Sequence, residues 1–342
     1  MSHNATPALR GRSGAAKRVA AILLGSAAAL GAAALQAQAD ARRAEREHPP
    51  RGRFLAAGGI RLHYLEAGHG DASPVVLLHG NSVSAEDWVA SGVFGRVAGR
   101  RRVIALDRPG FGYSDRPRDR AWTPAAQAAV LAEAFARLGL ERPVVVGQSW
   151  GTLVAMALGL AHPRAVSGLV LAAGYYYPTA RADVVAFSPA ALPLFGDILR
   201  HTLAPLTGRL IAPRMIRRMF APMPVPPAFT EAVPVPMMLR PSQLRAASEE
   251  AALMIPGVRA AAPRYPELRR LPVAIVAGAE DRIVDVGRHS LRLHDELPDS
   301  ELTLVPGMGH MVHHGAPGLV AAAIERIAAA TVAPVPAFPA PV

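Results

Sequence analysis

Pro143-Val144-Val145-Val146-Gly147-Gln148-Ser149-Trp150-Gly151 decides the reading of this chain. A run of β-branched residues closing in Gly-x-Ser-x-Gly is what a strand needs to turn sharply into a helix with a serine held at the bend. Ser149 then takes a strained backbone conformation, and only glycine at 147 and 151 leaves room for so tight a strand–helix crossing. The hydroxyl stands above the sheet edge, with the N-terminus of the next helix beneath it.

A hydrolytic serine needs a base to take its proton, and the base needs a carboxylate to orient it. Downstream, Leu271–Gly278 reads as a buried strand followed by Glu280-Asp281-Arg282. Glu301–Val305 reads as another strand, followed by Pro306-Gly-Met-Gly-His310. Both polar groups fall just past strand ends, where ligand and catalytic groups gather in parallel sheets. Upstream, Pro74–Leu78 ends in His79-Gly80-Asn81-Ser82. Gly80 lets the backbone turn so that the Asn81 N–H points at the serine. With the N–H of Trp150 it makes a two-donor oxyanion hole.

Taken together, His79-Gly80-Asn81, Asp107-Arg-Pro-Gly-Phe-Gly-Tyr-Ser-Asp115, Gly147–Gly151, Gly278-Ala-Glu-Asp281 and Gly309-His310 resemble the α/β-hydrolase superfamily over about residues 53–330. The resemblance implies a mostly parallel eight-stranded sheet with helices on both faces and a helical cap insertion. It implies Ser149 as nucleophile, His310 as base and Asp281 as the acid, since the family places the acid two or three residues after the strand-ending glycine. Glu280 is the less favoured neighbour. His313 and His314 rival His310 but lie about one helical turn further on. Epoxide hydrolases and haloalkane dehalogenases of this fold carry Asp at the elbow; a serine there directs attack to an acyl carbon. Gln148 stands where many relatives have His. Asp107 and Asp115 are expected to set a Gly-rich turn, and His79 to brace its loop. The tract His310–His314 also reads as metal ligands, but no cysteine and no matching carboxylate cluster accompanies it. No metal and no cofactor is expected.

The chain has 342 residues, enough for a sizeable core, and no cysteine, so disulfides and thiolate sites are excluded. Of the formal charge of +11, residues 1–53 carry +6, from nine Lys or Arg against three acids. The remainder forms no basic stripe interleaved with aromatics, so nucleic-acid binding is not expected.

Arg10, Arg12, Lys17 and Arg18 precede the apolar run from Val19, and Ala37-Gln38-Ala39 closes it. This is the layout of a secretory signal with an A-x-A site. Val19–Ala39 also has 21 residues, enough to cross a bilayer. The expectation is export, as a membrane-anchored or a periplasmic or secreted protein, with residues 1–39 a signal or anchor and 40–52 a linker. The hydrolase domain is expected at 53–330 and a Pro-rich tail at 331–342.

Strands are predicted near 53–57, 60–67, 74–78, 102–106, 143–147, 166–173, 272–278 and 301–305, and helices near 85–98, 124–138, 150–161, 286–296 and 317–330. Between about 178 and 270 this alternation stops. The segment carries Met215, Met219, Met223, Met237 and Met238, and six prolines within 222–236. It reads as a lid over a mostly apolar pocket, or as a lid whose methionines pack on one another. The resulting expectation is a serine hydrolase cleaving a small, apolar carboxylic ester or lactone through an acyl-serine. Carbon–carbon bond hydrolysis or cofactor-free perhydrolysis on the same triad is the alternative. A non-catalytic binding protein of this fold would be marked by loss of a triad member, and none is missing.

Overall fold

Five consecutive segments of the chain are buried at every residue, and these form the centre of one sheet. The computed structural model describes residues 8–70, 72–181, 184 and 188–330; residues 1–7 and the expected tail 331–342 lie outside the described residues. The strands are β1 (Arg53–Ala57), β2 (Ile60–Ala67), β3 (Val75–Leu78), β4 (Val103–Leu106), β5 (Val144–Gln148), β6 (Gly168–Ala172), β7 (Val273–Gly278) and β8 (Glu301–Val305). They lie in the order β1-β2-β4-β3-β5-β6-β7-β8. β2 pairs antiparallel with both β1 and β4, and all pairings from β4 to β8 are parallel. Strands covered on both faces read as unbroken apolar runs, as β3 to β7 do.

Alternation of side chains sorts these runs into two cores. Val76, Leu78, Ile104, Leu106 and Val145 face one core. Val75, Leu77, Val103, Ala105, Val144 and Val146 face the other.

The helices are α1 (Ala8–Glu47), α2 (Glu86–Ala90), α3 (Val93–Ala98), α4 (Pro124–Arg137), α5 (Trp150–Ala161), α6 (Phe195–His201), α7 (Leu203–Phe220), α8 (Pro227–Ala232), α9 (Val235–Met238), α10 (Pro241–Ala261), α11 (Arg292–Glu296), α12 (Val312–Gly315) and α13 (Pro317–Ala330). Thr123 caps α4 through a 3.1 Å bond from the Ala126 amide, with Pro124 at the first position.

Three expectations change. The helix read at 85–98 is two helices, because Gly92 turns left-handed at φ 78°. The pattern at 286–296 opens as a π-helical turn, Gly287–Leu291, before α11. The stretch 40–52, read as a linker, is helical through Glu47 and packs on the cap.

The cap is the insertion between β6 and β7. α6 to α10 fold back over the strand ends and hold a core of their own, in which Phe220 and Phe229 meet Val83 and Met311 of the sheet loops. Met219, Met223 and Met238 pack around that core.

Candidate active site

The elbow forms as its residues require. Ser149 has φ 50° and ψ −118°, between the end of β5 and the start of α5. A Cβ on Gly147 would come within 2.6 Å of Gly151, and one on Gly151 within 2.4 Å of the Leu78 carbonyl. Neither position therefore accepts a side chain.

His310 lies in the loop between β8 and α12, and its two ring nitrogens face two partners. Ser149 Oγ donates to Nε2 at 2.9 Å, and Nδ1 donates to Asp281 Oδ2 at 2.8 Å. The other Asp281 oxygen accepts the amides of Ile283 and Val284 at 2.7 and 2.9 Å. Burial opposes the charge on Asp281, but the facing imidazole and these donors outweigh it and hold the carboxyl below its ordinary range. A carboxylate so fixed selects one tautomer of the imidazole and leaves Nε2 free to accept the serine proton. The Gln148 amide donates to the His310 carbonyl at 3.4 Å, tying the elbow to the histidine loop.

The loop carrying Asn81 is held against Ser149. A Cβ on Gly80 would lie 3.3 Å from that of Ser149 and 2.3 Å from Gln148 Oε1. His79 braces this loop as expected: its Nδ1 donates to the Gly80 carbonyl at 2.7 Å and its Nε2 accepts the Arg108 amide at 3.0 Å. Burial, then the Arg108 charge, push its pKa down to about 3, so the ring stays neutral. Asp107 sets its turn by accepting from the Ala85 and Tyr113 amides at 2.8 and 2.9 Å, and it also takes the His63 ring at 2.7 Å. Asp115 accepts the Arg61 amide at 3.2 Å.

Sequence reasoning missed a buried network beneath this loop. Arg108 and Glu250 form an ion pair with both side chains fully buried, one of its contacts 3.0 Å long. Arg108 also donates to the carbonyls of His79 and Gly80 at 2.7 and 2.8 Å. Gln127 donates to Glu250 at 3.0 Å. From the cap, the Ala247 carbonyl accepts the Asn81 side chain at 3.0 Å, and the Glu250 carbonyl accepts the Trp150 indole at 3.1 Å. Both residues expected at the oxyanion hole are thus tied to α10. The signal was present: Gln243, Ala246, Glu250, Met254 and Val258 share the buried face of α10, so Glu250 is a charge in the apolar phase of an amphipathic helix.

His313 and His314 are brought not to Ser149 but to Asp87 of α2. Their Nε2 atoms donate to its two oxygens at 2.9 and 2.8 Å. The carboxylate that the sequence did not reveal beside the His310–His314 tract is therefore present. The three ligand atoms lie within 4.8 Å of one another; each imidazole spends its Nε2 on the carboxylate, and His313 Nδ1 is buried without a partner. Burial disfavours the Asp87 charge, yet the two imidazoles more than offset it and hold the carboxyl below its usual range.

A family model described as alpha/beta hydrolase fold matches residues 73–317. The chain belongs to the α/β-hydrolase fold family. It is 28% identical over 291 residues to haloalkane dehalogenase 2 of Mycobacterium tuberculosis, covering 81% of this chain and 94% of that protein. It is 28% identical over 275 residues to 2-hydroxymuconate semialdehyde hydrolase of Pseudomonas putida, covering 78% and 90%. The solved structure of a membrane phospholipase A, a bacterial virulence factor, superposes with a TM-score of 0.62 at 22% identity, covering 92% of this chain and 98% of that one. That last alignment spans more of the chain than residues 53–330 supply. The chain is an enzyme of the α/β-hydrolase family, with hydrolases among its relatives.

Proposed function

We propose that this α/β-hydrolase is a serine hydrolase cleaving a carboxylic ester or lactone of a small, mostly apolar acyl compound. The observation that carries this is the unbroken relay from Ser149 through His310 to Asp281, at 2.9 and 2.8 Å, with a serine and not a carboxylate at the elbow. Ser149 attacks the acyl carbon as His310 takes its proton, and the Asn81 and Trp150 amides receive the charge on the carbonyl oxygen. His310 returns the proton to the leaving alcohol. It then activates water, which releases the acid from the acyl-serine. Dehalogenation is disfavoured by the same residue, because a serine that displaced halide from an alkyl carbon would be left as an ether, which water and an imidazole do not reopen. A second reading, hydrolysis of a carbon–carbon bond next to a ketone, uses the same triad and is favoured by the likeness to the semialdehyde hydrolase.

In this reading residues 53–330 are the catalytic domain, about 178–270 its cap, and α1 is kept as a membrane anchor. Its most apolar 18-residue window has a mean hydropathy of 1.8 and none of it is buried in the protein. The 40-residue helix is about 60 Å long. It passes unbroken through Ala37–Ala39, and Asp40 and Glu45 pair with Arg209 and Arg240 of the cap region at 2.6 and 2.8 Å. Cleavage after Ala39 would discard the span but leave these pairs.

The test is labelling of the full-length chain with a fluorophosphonate, with peptide mapping, followed by an ester, lactone, haloalkane and diketone panel. Adduct on Ser149 and turnover of esters or lactones is the expected result. Faster turnover of diketones moves the assignment to the second reading, and absence of adduct on the folded protein refutes both.

A further inference from the structure

The cap carries an apolar surface that stays exposed among the described residues. Leu194, Phe195 and Ile198 are more than half exposed, Leu194 at 80%, and so is Leu210 of α7 at 70%. On α7, Leu203, Leu206 and Leu210 recur at intervals of three and four and share one side of the helix. One to two turns beyond Leu210, the same side carries the exposed Arg214, Arg217 and Arg218. A contiguous apolar patch with a polar fringe marks an interaction site.

Its position points to the occupant. α1 packs against α6, α9 and α10, with Ala37 and Ala44 buried. Reading back from Glu45, its contacts run from Arg240 to Arg209 of α7, and residues 17–32 are exposed. On α7 the exposed Leu203 and Leu206 precede Arg209 and Leu210 follows it. The helix α1 thus meets α6 and α7, the cap elements that carry the exposed apolar residues, with the Asp40–Arg209 pair where its hydrophobic stretch ends.

We propose that this face of α6 and α7 docks on an anionic lipid bilayer, with its leucines in the interfacial layer and Arg214, Arg217 and Arg218 among the headgroups. The proposal rests on the reading of α1 as an anchor. A bilayer, unlike a second copy of the chain, accounts for the apolar span of α1, the adjoining apolar cap and the arginine fringe together. The face is linked to the candidate site. α7 ends at Phe220, and the next carbonyl, that of Ala221, lies so close to Gly309 that a Cβ there would stand 2.0 Å from it. One helix thus runs from the proposed membrane face to the loop that bears His310.

The chain has no cysteine, so single reporters can be introduced directly. Leu24→Cys in α1, Leu194→Cys, Leu206→Cys and Leu210→Cys on the cap, and Glu141→Cys just before the central strand β5, at the opposite strand ends, are labelled with an environment-sensitive fluorophore. Each is made in the full chain and reconstituted into vesicles of phosphatidylcholine and phosphatidylglycerol containing nitroxide lipids. Unchanged thermal transitions confirm folding. The expected result is quenching at 24, 194, 206 and 210 several-fold above that at 141, with cap quenching reduced in Arg217→Gln/Arg218→Gln. Quenching at 24 with the cap labels at the level of 141 overturns the proposal and leaves the anchor intact. No quenching at 24 overturns both. Cap labels that self-quench on lipid dilution series but ignore nitroxide lipid assign the face to a second copy and also overturn the proposal.

Discussion

The loop after β8 and the helix α12 it leads into deliver imidazoles to two carboxylates, and the two ends of that segment differ in what is left over. At one end His310 gives Nδ1 to Asp281 and offers Nε2 to the Ser149 hydroxyl. At the other, His313 and His314 both give Nε2 to Asp87, whose carboxylate and whose His313 partner are fully buried. The residue types are almost the same. A histidine serves as a general base only where one nitrogen is oriented by a carboxylate and the other meets a hydroxyl at a place substrate can reach. The Asp87 cluster lacks the hydroxyl and the access. It joins α12 to α2 and touches the cap, where the Phe220 and Phe229 rings stand 5.2 and 5.4 Å from that of His314.

The contrast can be broken by substitution. Ser149→Ala or His310→Ala is expected to lower ester turnover about 10⁴-fold or more and to abolish fluorophosphonate labelling, whereas His314→Gln stays within about tenfold of the parent. Equal losses at 310 and 314 would dissolve the distinction between the two ends of the segment. Next in size is Glu250→Gln, which leaves Arg108 buried without its counter-charge. About 3–5 kcal/mol of stability should go, read as a drop in the denaturant midpoint. A double variant, Arg108→Met with Glu250→Leu, should recover much of that stability. It should still hydrolyse esters more slowly if the network positions the Asn81 loop. Asp87→Asn removes the shared charge between two histidines and is expected to cost about 1–3 kcal/mol, with the labelling rate of Ser149 unchanged.

The last effect is one of pH. Free histidine in the unfolded chain takes a proton near pH 6.5, whereas folded His79 resists until about 3. The unfolded state therefore binds the extra proton, and this part of the stability is complete above 6.5 and is lost as pH falls toward 3. The slope is at most about 1.4 kcal/mol per pH unit for one proton. Urea titrations of His79→Gln should show a shallower acid limb; an unchanged limb would place the acid sensitivity elsewhere.

Most of the frame was legible because its signals are local. β5 and its elbow, the glycines at 147 and 151, and the strand ends before Asp281 and His310 are short patterns of β-branched, small and polar residues. They report on neighbours within a few positions. Gly92 could have been read as a break between α2 and α3, but an isolated glycine in a helical pattern is ambiguous. The network of Arg108 with Glu250 was not legible. Its members are separated by 142 positions, and only the phase of α10 hinted that Glu250 faces inward.

By itself, then, the sequence determined a doubly covered parallel sheet, a serine at a strained elbow, and the order Ser149, Asp281, His310, since period, turn chemistry and strand ends are encoded in neighbouring residues. Tertiary structure alone decided that Asp87 occupies His313 and His314, that Glu250 of the cap and Arg108 pair beneath the Asn81 loop, and that α1 packs on cap helices. Those outcomes depend on which distant surfaces pack together, and a buried charge reveals its partner only when packing brings the two into contact.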